Sequence, residues 1–179
     1  MLRGIKNPTS YILHPTSHKS GGFTLVELII VGAVIAGLAT MFITNYPGSQ
    51  RKARDTLRRN DLRQYQAGLE IYANKNNGFY PSQTASVQAD TVLCGNLGIA
   101  SCAADPKDSQ NVCTSGTCRY FYRSNGTCAA GDGCASEYFV YGRLEQPKDN
   151  LKPYWFYCSG GKSGEVATPP VVGSTCPVP

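Results

Sequence analysis

From Phe23 to Ile43 every residue except Glu27 is apolar, Gly or Thr, and this run limits what the chain can fold into more than any other feature. Twenty-one residues at the helical rise give about 32 Å, enough to cross a hydrocarbon core. A cleavable secretory signal is the competing reading. Its apolar region should be shorter, should not carry a carboxylate near its start, and should end in a small-x-small site, of which Gly37-Leu38-Ala39 is a poor version. The run is therefore read as a membrane-spanning helix.

Residues 1–22 are polar, rich in Ser, Thr, Pro and Gly, and lack periodicity, as expected of an unstructured leader. Past Tyr46-Pro47-Gly48 the pattern becomes one-sided, with Ala53, Leu57, Leu62, Tyr65, Leu69 and Tyr72 among polar residues at spacings of three to five. This is the signature of an amphipathic helix, assigned to 44–77. Pro47 suggests a joint near Gly48 within one long helix. Asn76-Asn77-Gly78 followed by Tyr80-Pro81 supplies the stop.

Residues 78–179 form the head. Three aromatic runs, Arg119 to Arg123, Glu137 to Leu144 and Tyr154 to Ser159, predict antiparallel strands. One face of that sheet should cover the apolar stripe of the second half-helix, because neither can bury itself alone. The C-terminal stretch from Pro169 is expected to be extended and held by a disulfide rather than by a core. The fold class that follows is α+β.

All eight cysteines lie in this head, at Cys94, Cys102, Cys113, Cys118, Cys128, Cys134, Cys158 and Cys176. An even set in a loop-rich domain reads as a disulfide framework, which persists on an oxidising side of a membrane. Metal binding is disfavoured, since no pair has C-x-x-C spacing and the two histidines, His14 and His18, precede the apolar run. With no histidine beyond the leader, and no Ser/His/Asp, Cys/His or paired-carboxylate arrangement, the sequence does not read as an enzyme.

Gly21-Gly22-Phe23-Thr24-Leu25-Val26-Glu27-Leu28-Ile29-Ile30-Val31 resembles the processing signal of type IV pilins and of type II secretion pseudopilins. It joins Gly before the cut, Phe after it, Glu at the fifth mature position and an apolar helix in one register. The resemblance implies cleavage between Gly22 and Phe23 by a prepilin peptidase and N-methylation of Phe23. It also implies assembly with other pilin subunits, through an inner-membrane platform, into a filament for adhesion, motility or DNA uptake. The N-terminus would be cytoplasmic and the head extracytoplasmic, with membrane lipid as the surroundings before assembly. Alternatives are a secretion pseudopilin and, from another class, a monomeric membrane-anchored or secreted cysteine-rich binding module, which has no need of this N-terminal register.

The family likeness covers residues 19 to 81 best and implies a pilin-like head beyond them. The leader is long for a mature chain starting with Phe. Eight cysteines exceed the family's usual one or two pairs, so pairings are not carried over, although Cys158 and Cys176 are placed to bound the C-terminal loop many pilins have.

Glu27 lies one turn into the apolar run, about 6 Å along the helix from Phe23. A lone carboxylate in a lipid-like setting calls for a cationic partner. The amine that cleavage would free at Phe23 is the nearest, within one subunit or, in the reading adopted here, on a neighbouring subunit. Glu27 is thus assigned to assembly.

Loss of Arg3, Lys6 and Lys19 with the leader would leave fourteen Lys and Arg against twelve Asp and Glu. Arg51, Lys52, Arg54, Arg58, Arg59 and Arg63 crowd one stretch. They are read as a solvated or subunit-pairing face in preference to a DNA or lipid contact. A positive-inside count would put the head in the cytoplasm; the cysteines and the length of the domain overrule it. Asp105-Pro106-Lys107-Asp108 is read as a solvated turn, with calcium a weaker option. No other cofactor or metal is expected. Gly160-Gly161-Lys162-Ser163 lacks the first Gly of a phosphate loop, where Phe156 stands, and reads as a turn. Asn125-Gly126-Thr127 fits a glycosylation sequon.

Overall fold

The computed structural model describes residues 21–99, 101–108, 110, 113, 117–173 and 176, the side chains of 44 and 45 excepted; most of the expected leader lies outside these. The chain divides into two units, up to Ile43 and from Thr44 onward. Helix α1 spans Leu25–Lys75 and is continuous through Pro47 and Gly48. The expected joint therefore does not interrupt it. Proline removes one N–H from the ladder, and the neighbouring turns keep theirs.

Within the first unit, Leu25–Ile43 has a mean hydropathy of 2.4, and none of its residues is buried. Among the described residues this is the one helix long and apolar enough to cross a membrane. At its other end, α1 is closed by Asn77 and Gly78, both at positive φ (56° and 85°). The Gly78 N–H reaches back to the Ala73 carbonyl at 2.8 Å. Two left-handed residues after Lys75 give the chain the reversal that the Asn-Asn-Gly sequence announces.

The head contains β1 (Tyr80–Pro81), β2 (Val87–Gln88), α2 (Ala89–Leu97), β3 (Tyr120–Ser124), β4 (Gly133–Ala135), β5 (Tyr138–Arg143), β6 (Tyr154–Cys158) and β7 (Ser163–Val166). β1 pairs with β4, and a five-stranded antiparallel sheet runs β2-β3-β5-β6-β7. The three expected strands form its centre, β3, β5 and β6. The edge strands, the small β1–β4 ladder and α2 are additions to that expectation.

Strand alternation sends Tyr120, Tyr122, Tyr138 and Val140 toward α1, where Leu62, Tyr65, Leu69 and Ala73 meet them together with Ala89 and Leu93 of α2. Spacings of three and four keep those α1 residues on one stripe. Ala53 and Leu57 were expected to extend the stripe and do not: Leu57 is exposed and Ala53 stays outside the core. Asp55 and Arg58 occupy its buried start instead.

Buried tyrosines dominate this core, and each hydroxyl finds an acceptor. Tyr120 donates to Asp61 at 2.7 Å, Tyr122 to the Pro81 carbonyl at 2.7 Å, Tyr65 to the Ala103 carbonyl at 2.7 Å, and Tyr138 to Glu70 at 3.0 Å. A ring buries as phenylalanine would, while its hydroxyl ties the helix or a loop to the sheet. The opposite sheet face carries a second cluster of Phe139, Tyr141, Phe156 and Cys158, against which Val166, Val172 and Cys176 pack. The C-terminal segment is therefore held by a small core as well as by a crosslink.

Candidate functional site

Gly21 to Thr24 lie outside the helix and are exposed, so the Gly22–Phe23 peptide is not locked in regular structure. Phe23 is 85% exposed. Directly after it stands a reciprocal pair: the Thr24 N–H and hydroxyl both donate to Glu27 Oε2 at 3.1 Å, and the Glu27 N–H donates to Thr24 Oγ1 at 3.2 Å. Thr24 is the N-cap and Glu27 the third helical residue, which makes a capping box. The box satisfies backbone donors at a helix end and places a negative charge at the positive end of the helix dipole. The sequence carried this signal as Thr-x-x-Glu ahead of an apolar run, and the reading of Glu27 as a partner for an amine passed over it. Cleavage after Gly22 would leave the box whole, because the Phe23–Thr24 peptide survives.

The second unit holds a compact ion network. Arg58 is fully buried and donates to Asp105 through Nε and Nη2 at 2.7 and 2.9 Å, and through Nη1 to Asp55 and Glu145, both at 2.8 Å. Arg54 adds a two-point pair with Glu145 at 2.8 and 2.6 Å. Asp55 also accepts the N–H groups of Glu145 and Gln146 at 2.9 and 2.7 Å. Burial alone would lower the Arg58 pKa, but its bonds to Asp105, Asp55 and Glu145 reverse this and raise it. The hydrogen bonds from Arg54, with those of Arg58 in support, hold the Glu145 carboxyl below its usual range against the effect of burial.

Arg59 lies 4.5 Å from the Trp155 ring centroid and pairs with Glu165 at 3.0 Å. Three of the six clustered cations, Arg54, Arg58 and Arg59, thus serve the head's own fold rather than a solvated face. Asp105 is likewise no solvated turn residue: it is buried, both its oxygens face Arg58, and it accepts the Lys107 N–H at 2.8 Å. Asp108 pairs with Arg119 at 3.3 Å. The Cys113 and Cys118 sulfurs lie near Asp105 but are joined to each other.

The eight cysteines pair in sequence order, Cys94–Cys102, Cys113–Cys118, Cys128–Cys134 and Cys158–Cys176. The last bounds the C-terminal loop. Gly161, at φ 71°, turns the chain between β6 and β7, so Gly160 to Lys162 belong to a hairpin connection and Ser163 opens β7. The Asn125 side chain of the sequon is engaged with Ser136 and the Glu137 N–H.

Comparison with characterised proteins finds similarity to the type IV wide pilus major component PilA4 of Thermus thermophilus. The two are 39% identical over 66 residues, which cover 37% of this chain and 50% of that protein. The matched part of the chain thus spans half the length of that relative. No family model matches, and no solved structure matches. The α+β architecture, with an apolar N-terminal helix, an antiparallel sheet and four disulfides, is consistent with a pilin-like fold.

Proposed function

We propose that this chain is the precursor of a type IV pilus subunit, cut between Gly22 and Phe23, N-methylated at Phe23 and assembled through Leu25–Ile43 into an extracytoplasmic filament. The observation that carries this reading is the wholly unburied apolar half-helix, which starts at a capped Thr24–Glu27 pair immediately after an exposed, non-helical Gly22–Phe23 bond. Nineteen residues with no burial need lipid or copies of themselves. Similarity to a protein named as a wide pilus component favours a pilus over a secretion pseudopilus. A monomeric anchored module would need the span but not the Gly-Phe-x-x-x-Glu register.

Partners in this reading are a prepilin peptidase, the assembly platform and other pilin subunits. The role is structural, and the head lies on the oxidising side, where its disulfides persist. Peptide mapping of protein from the native host is expected to find a methylated N-terminus at Phe23. A start at Thr40, after Gly37-Leu38-Ala39, would mean signal-peptidase processing and would sink the proposal. Imaging cells with and without the chain then separates filament subunit from anchored module.

A further inference from the structure

Two open clefts of about 410 and 830 Å³ share Arg51 and Glu145 in their walls, the first adding Lys107 and the second Lys52 and Lys148. Arg51, Lys52 and Lys148 are exposed and Lys107 is half-buried. The carboxylates in those walls are already engaged, Glu145 by Arg54 and Arg58, and Asp55 by Arg58 and two backbone N–H groups. What the clefts present outward is therefore positive. Beside them the loop between β5 and β6 raises Leu151, 78% exposed, with Lys152 next to it. The exposed acid of that loop, Asp149, accepts the Leu151 N–H at 2.9 Å and shapes the turn.

We propose that this surface docks on the anionic phospholipid headgroups of the bilayer that holds Leu25–Ile43, with Leu151 entering the interface and Arg51, Lys52, Lys107 and Lys148 meeting phosphates. The inference rests on the anchoring part of the proposed function but not on filament assembly. Arg51 is eight positions beyond Ile43, and eight residues reach at most about 28 Å even when fully extended, so Arg51 itself stays within that reach of the end of the apolar run. Cations immediately beyond a span gain from an anionic surface, and an aliphatic side chain among them gains from the acyl boundary. A nucleic acid would match the cations but offers nothing to Leu151, and among the described residues neither cleft is lined by an aromatic ring for base stacking.

The test is amide hydrogen exchange of the full chain reconstituted in lipid nanodiscs, made of phosphatidylcholine alone or with phosphatidylglycerol. With phosphatidylglycerol, amides of residues 145–153 are expected to exchange about tenfold more slowly, and high salt should remove the difference. The pair Lys52→Gln with Lys148→Gln, both outside the ion network, should also abolish it while β5 exchange stays unchanged. Equal exchange in the two discs overturns this proposal alone; failure to incorporate into discs sinks the anchoring reading and this proposal with it. Protection produced in phosphatidylcholine discs by a DNA duplex, or by millimolar inorganic phosphate, with none from phosphatidylglycerol would reassign the surface to that ligand and overturn the lipid assignment.

Discussion

Arg58 and Asp105, forty-seven residues apart in sequence, face each other in a two-point ion pair at 2.7 and 2.9 Å with neither side chain exposed. The pair joins α1 to the loop leading toward Cys113, and Asp55 and Glu145 draw the end of β5 into the same cluster. A buried guanidinium is costly unless every donor is met. Here the planar fork of arginine meets three carboxylates in a geometry lysine could not copy.

Arg58→Ala is expected to strip compensation from two buried aspartates and to cost about 3–5 kcal/mol of head stability. Arg58→Lys should recover only part of this. Denaturant midpoints in detergent, combined with Asp105→Ala in a double-mutant cycle, are expected to give a coupling above about 1 kcal/mol. Additive single effects would mean that the contact is incidental.

A second expectation concerns acid. Because Glu145 is depressed below its ordinary value of 4.5, its contribution is fully present above that pH and is lost as pH falls through the folded-state value. Asp61 runs the other way. Burial raises it, outweighing the Tyr120 hydrogen bond, so the folded state binds its proton more readily and falling pH favours folding through this group. Glu145→Gln should therefore cost about 1–3 kcal/mol at neutral pH and flatten the loss of stability between about pH 5 and pH 3. Asp61→Asn should steepen that loss. The measurement is the unfolding midpoint against pH for the three proteins, and parallel curves would count against both assignments.

The aromatic strands and the end of α1 were legible because each has a local cause: alternation in Tyr120 to Ser124, and Asn-Gly after Lys75. The start of the α1 stripe was not. A period search follows apolar residues, so it chose Leu57 and passed over Arg58 next to it, although Asp55 and Arg58 at i,i+3 already form a helical pair. What buries Arg58 is Asp105 and Glu145, long-range partners that no window contains. The two-residue β2 and four-residue β7 owe their pairing to neighbours already in the sheet rather than to a pattern of their own. The even set of cysteines announced crosslinks, while the pairings needed the fold.

Among the crosslinks, Cys158–Cys176 closes the longest loop, 18 residues against 8, 5 and 6. It also anchors the segment carrying Val172 over the outer face of the sheet. Loop-closure entropy assigns it about 3 kcal/mol, compared with about 2 for the shortest. Native protein alkylated without reduction should take up no label. The Cys158→Ala, Cys176→Ala pair should be destabilised more than the Cys128→Ala, Cys134→Ala pair in denaturant titration, and the reverse order would mean that the outer face holds without its crosslink.

Glu27 has two candidate tasks that a single deletion cannot separate: capping its own helix through Thr24, as the hydrogen bonds place it, and pairing across subunits with the Phe23 amine, as the proposed function has it. Glu27→Leu removes both. It is expected to leave cleavage and membrane insertion intact, since neither needs a carboxylate within the span, and to abolish or strongly reduce filaments. Glutamine separates the tasks, because an amide oxygen can accept the Thr24 N–H as the carboxylate does, yet brings no charge to an amine. Thr24→Ala separates them in the other direction, keeping the charge while removing the cap, at about 1 kcal/mol of helix stability. If pairing sets the axial register, Glu27→Gln should assemble as poorly as Glu27→Leu, and Thr24→Ala should assemble nearly normally. Filaments counted by electron microscopy at equal subunit levels decide it: normal assembly of Glu27→Gln together with failure of Thr24→Ala would make Glu27 a helix cap and nothing more.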